Sequence, residues 1–97
     1  MVKMGRKSLA LKIFEDCEDI EEEPGTWLIL YDFKGMKPNS KFWDNLHRIK
    51  NLAGSGSLIQ YSVFQSNSKR GAVSALKIAQ HYGAESIMYK VEKVEQY

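Results

Sequence analysis

Residues 26–33 read TWLILYDF, a stretch that is almost continuously apolar and rich in aromatic and branched side chains. That composition predicts a central strand buried on both faces, since such side chains pack well on a pleated surface. Side chains alternate along a strand, so Trp27, Ile29, Tyr31 and Phe33 share one face and Leu28, Leu30 and Asp32 the other. In a two-layer domain helices cover only one of these faces. The other then needs a lid, from the N-terminal segment or from a second subunit.

Downstream, Lys34 to Asn39 reads as a loop through Gly35 and Pro38. Ser40 can cap a helix whose stripe is Phe42, Leu46, Ile49 and Ala53, and Gly54 stands where a left-handed cap is usual. After the Ser55-Gly56-Ser57 turn, residues 58–65, LIQYSVFQ, form a second β region, with a bend near Tyr61-Ser62 that divides it into two strands. A second helix is predicted from Ser68 to Tyr82, with Val73, Leu76 and Ala79 inward and Gly83 closing it. The last strand runs from Ser86 to Val91, with Ile87, Tyr89 and Val91 on one face, and a polar tail follows.

Upstream, Leu9, Ile13, Cys17 and Ile20 fit one face of a helix capped by Ser8, although Leu9, Leu11 and Ile13 also alternate as a strand would. Acidic residues crowd the end of that helix and oppose its dipole. Pro24-Gly25 is a strong breaker pair, which divides an acidic amphipathic segment, residues 1–25, from the regular domain, residues 26–97. Strand, helix, two strands, helix and strand predict an α+β ferredoxin-like βαββαβ sandwich with an extra N-terminal helical segment. That fold hosts many activities and chooses none.

The 97 residues fit one domain with a modest core, and dimerisation would add buried apolar area. A single cysteine, Cys17, rules out an intrachain disulfide, and no apolar run reaches the roughly 20 residues of a membrane span. The expectation is a cytoplasmic protein. The net charge of +2 hides an asymmetry: residues 1–23 hold four basic and seven acidic side chains, the remainder ten basic and five acidic. A basic excess of that kind suits a polyanion, and the asymmetry raises the hypothesis that the acidic segment shields it in the free protein.

Asp32 ends an apolar strand, and beside its symmetry mate in a dimer it would present two carboxylates to a hard divalent cation. Its alternative task is to accept hydrogen bonds from loop amides before Gly35. Lys69 and Arg70 stand in the first turn of a helix, against its dipole, where the amides near Ser68 and two cations suit a phosphate. Lys34, Lys37, Lys41 and Arg48 extend the basic residues along the first helix and its loop, for sequence-independent backbone contacts. The aromatic residues Trp27, Tyr31, Phe33, Phe42, Trp43 and Phe64 fall on apolar periodicities and read as core or dimer interface. Isolated His47 and His81 lack partners at zinc-ligand spacing, and no phosphate loop, nucleophile elbow or dinucleotide fingerprint is present.

The apolar strand ending in Tyr31-Asp32, followed at a helix's distance by Gln60-Tyr61-Ser62-Val63-Phe64, resembles the CRISPR-associated protein two family and the related virulence-associated D toxins. The resemblance covers about residues 26–91. It implies a homodimeric, ferredoxin-like, nucleic-acid-binding protein, with Asp32 of each subunit holding Mg²⁺ or Mn²⁺ for endonuclease action on RNA or DNA. Lysines stand in the loop where that family commonly has arginines, Gln65 stands where a glutamate is frequent, and the acidic extension has no counterpart there. A non-catalytic nucleic-acid scaffold and a protein-interaction module, within a larger complex, are the alternatives.

Overall fold

A computed structural model describes residues 7–92. The elements run α1 (Leu9–Asp16), β1 (Thr26–Asp32), α2 (Ser40–Ala53), β2 (Ser57–Gln60), β3 (Val63–Ser66), α3 (Lys69–His81) and β4 (Glu85–Val91). The four strands make one antiparallel sheet in the order β2-β3-β1-β4, and the three helices complete an α+β fold compatible with a small ferredoxin-like domain. No helix among the described residues is long and apolar enough to cross a membrane. The polar tail from residue 93 lies outside the described residues.

The core forms between the helices and one face of the sheet. Trp27, Ile29 and Tyr31 of β1 are buried against Phe42, Leu46 and Ile49 of α2, Ala72, Ala75, Ile78 and Ala79 of α3, and Phe64 of β3. Tyr31, Phe42 and Trp43 pack edge to face, with ring centroids 4.8 to 6.4 Å apart. The aromatic residues Trp27, Tyr31, Phe42 and Phe64 are thus core, with Phe33 and Trp43 partly buried at its margin.

β1 is not buried on both faces. Leu30 and Asp32 are exposed and Leu28 is half-buried, because all helical packing falls on the other side. The N-terminal helix is no lid for this face, since α1 packs on α2 and α3. Asn45 ties the three helices together: its Oδ1 accepts from the Ala10 N–H at 3.0 Å, and its Nδ2 donates to the Lys41 carbonyl and to the Tyr82 hydroxyl.

Boundaries differ from expectation where a local interaction wins. Helix α1 keeps its Ser8 cap but stops at Asp16, two residues into the acidic run whose charges oppose its dipole. Asn39, not Ser40, caps α2, its side chain accepting from the Lys41 N–H at 2.9 Å. Gly54 takes the expected left-handed conformation at φ 73°. Tyr61 and Ser62 are the hairpin turn between β2 and β3. In α3 the buried stripe includes Gly71, Ala72, Ala75, Ile78 and Ala79, while Val73 and Leu76 lie at its flank. Small residues face the core there because α3 sits close to α2: a Cβ on Gly71 would come 2.7 Å from the Ala53 Cβ.

Candidate nucleic-acid interface

The basic residues singled out in the sequence separate into groups. Lys41 and Arg48 stand on one face of α2 with Asp44 between them, at spacings of three and four residues. Together with Asn45, His81 and Tyr82 they line a cleft of about 440 Å³ beside α1. Lys37 is exposed in the preceding loop. Among the described residues, Lys37, Lys41 and Arg48 have no carboxylate within 4 Å, as the ion pairs lie elsewhere.

Ser68, Lys69 and Arg70 stand at the opposite end of the helical layer, beside the C-terminus of α2 rather than its N-terminus. A helix of 14 residues makes that separation roughly 20 Å. The N-terminus of α3 already has an anion. The Glu22 carboxylate accepts from the Lys69 N–H at 2.6 Å and from the Ser68 hydroxyl at 2.5 Å, while the Ser68 oxygen accepts from the Gly71 N–H at 2.9 Å. Next to it the Glu23 carboxylate meets the Lys90 ammonium at 3.0 Å and the Lys69 ammonium at 3.8 Å. The Lys90 hydrogen bond, with the Lys69 and Lys90 charges, holds the Glu23 carboxyl below its ordinary range. Arg70 turns away toward α1, donating through Nε and a terminal nitrogen to the Phe14 carbonyl at 2.9 and 2.6 Å. Its guanidinium lies 3.8 Å from the Phe14 ring centre. These contacts are the physical reason positive charge is tolerated at a helix start.

Asp32 ends β1 on the open face of the sheet, and its register partner on β4 is Glu85. The Asp32 carboxylate accepts from the Lys34 N–H at 2.7 Å, and the Lys34 ammonium meets Glu85 at 3.0 Å. Lys34 takes a left-handed conformation, φ 58°, and the Glu85 hydrogen bond holds its ammonium pKa above the usual lysine value. Mg²⁺ and Mn²⁺ favour several oxygen ligands. Asp32 held by a backbone N–H and Glu85 paired with an ammonium do not make such a site within one protomer, and no group of three or more potential metal ligands occurs among the described residues.

No protein-family model, curated protein or solved structure matches the chain. Function therefore rests on the surfaces themselves.

The open face of the sheet is the feature that residue-by-residue reading undervalues. Register places Leu28 opposite Tyr89 and Leu30 opposite Ile87, with Val63 of β3 on the other side of Leu30. Leu30 is 37% exposed, Ile87 55% and Tyr89 50%. No lysine or arginine stands on this face of the paired strands, whose only charges are Asp32 and Glu85. The signal for it is present in the sequence as the alternation Ile87, Tyr89, Val91 and Leu28, Leu30.

Proposed function

We propose that the protein is a ferredoxin-like nucleic-acid-binding scaffold that works as a homodimer. The observation that carries the reading is the open sheet face. A contiguous apolar surface across β1 and β4 calls for a protein partner, and its apolar centre, with Lys34 at the margin already matched by Glu85, suits a second copy better than a polyanion. Stacking the two sheets buries Leu30 and Ile87 twice over and leaves the helical layers outward.

Among the described residues, the outward face of α2 carries cations with no carboxylate within 4 Å. One face of helix α2 carries Lys41 and Arg48 against Asp44 alone, and Lys37 precedes it. Duplicated by dimerisation, this gives two basic surfaces for phosphate contacts that hold a strand without reading its sequence. The element order β1-α2-β2-β3-α3-β4 and the central position of β1 and β3 support the ferredoxin-like assignment, in line with the family that the Gln60–Phe64 stretch resembles.

A nuclease is the second reading, favoured by the Asp32–Glu85 pairing at the margin of the open face, where a second protomer would bring further carboxylates. Both readings meet one experiment: labelled single-stranded RNA and duplex DNA are incubated with Mg²⁺ or Mn²⁺ and scored for retention and cleavage beside Asp32→Ala. Retention without cutting by both proteins is the expected result. Cutting lost in Asp32→Ala would replace the scaffold by a nuclease, and no retention would overturn both.

A further inference from the structure

Tyr61, at the tip of the β2–β3 hairpin, is 83% exposed, an unusual setting for a large aromatic side chain. Its backbone is nonetheless tied to the core. The buried Tyr31 hydroxyl donates to the Tyr61 carbonyl at 2.7 Å, and the Tyr31 N–H donates to the Ser62 carbonyl at 3.1 Å. The Tyr61 ring stands edge-on to Trp43 at 5.4 Å and 89°.

Between them, with Leu58, opens a recess of about 420 Å³. It adjoins a second of about 330 Å³ that shares Trp43 and Leu58 and is floored by Phe64. The rim of the second is cationic or titratable: Lys50 and His47 stand one turn apart on α2, on the same face as Trp43. Neither has a carboxylate within 4 Å among the described residues. The two perpendicular rings form an aromatic corner that offers one ring face to a flat base, with a cation nearby for its phosphate.

We infer that this recess takes one unstacked nucleobase of a single strand, the base stacked on the exposed Tyr61 ring with its edge toward Trp43 and its phosphate meeting Lys50 and His47. The inference rests on the nucleic-acid reading above and deepens it from backbone contact to base contact. Aromatic stacking of this kind is sequence-tolerant, because every base has a π-face. It also separates single strands from duplexes, whose bases are already stacked.

The test measures binding of a fluorescein-labelled thymidine 10-mer and of an abasic 10-mer of the same length to the full chain, Tyr61→Ala, Tyr61→Phe and Lys50→Ala. Tyr61→Ala should weaken thymidine binding about tenfold, within the range for loss of one stacked base, and leave abasic binding unchanged. Tyr61→Phe should retain the affinity, and Lys50→Ala should weaken both probes. Equal binding of the two probes, with Tyr61→Ala without effect on either, overturns the base site and leaves the backbone reading standing. An equal loss on both probes in Tyr61→Ala also overturns it. Binding of neither probe by the unaltered chain overturns the nucleic-acid reading itself.

Discussion

The Glu22 carboxylate sits on the N-terminus of α3, accepting from the Lys69 N–H at 2.6 Å across 47 residues of sequence. A carboxylate in that position both caps the helix and offsets its dipole. Glu22→Ala is expected to lower stability by about 1 kcal/mol, which in a domain of this size is a fall of roughly 4–8 °C in Tm by thermal denaturation. Replacing Glu22 and Glu23 together by glutamine should strengthen oligonucleotide binding at low salt, because Lys69 and Lys90 lose their intramolecular counter-charges. Unchanged affinity in that variant would show that the acidic segment shields nothing.

Burial raises the Tyr31 phenol to about 12. In the unfolded chain this group ionises near its ordinary value of 10, so the folded state forgoes that ionisation. The stability associated with Tyr31 is therefore intact below pH 10 and lost progressively as pH rises toward 12. Absorbance of phenolate against pH should show one tyrosine titrating late, and Tyr31→Phe should remove that phase.

Gly71 lets α3 approach α2. In Gly71→Ala the new methyl group meets the Ala53 Cβ at 2.7 Å, with the Ser68 and Ser66 hydroxyls at 3.2 and 3.3 Å. Overpacking of this kind costs about 1–3 kcal/mol, readable as a lowered urea midpoint. An unchanged midpoint would mean that the helices separate at no cost.

Ile87 and Leu30 are register partners at the middle of the open face. Ile87→Asp is expected to convert a dimer to a monomer by light scattering, with the circular dichroism of the fold retained, since the side chain is 55% exposed in one protomer. A dimer surviving this change would place the interface elsewhere.

Much of the fold is legible in the sequence because its signals are local. A continuous apolar run locates β1 and apolar periodicity the α2 stripe, and Ser8, Gly54 and the Tyr61-Ser62 turn fall where cap and turn chemistry puts them. Sequence spacing alone does not show that α1 joins the helical layer, because that depends on Asn45 receiving the Ala10 N–H from 35 residues away. The basic residues read as one surface from Lys34 to Arg70, yet their surroundings differ. Lys34 is matched by Glu85, Lys69 by Glu22 and Glu23, and Arg70 by the Phe14 carbonyl, partners that only the fold brings near. Nothing in the sequence pattern marks Tyr61 as a ligand contact, because exposure of an aromatic ring is a property of the folded surface.

The affinity of the full chain for a labelled single-stranded oligonucleotide, titrated between about 50 and 200 mM salt beside a Lys37, Lys41 and Arg48 to alanine variant, tests the central claim most directly. Log affinity should fall linearly with log salt, and the variant should bind more weakly with a shallower slope, by about 0.7 for each single-strand phosphate that it no longer neutralises. Binding that ignores salt, or a variant with the same slope as the unaltered chain, would contradict a nucleic-acid scaffold built on α2.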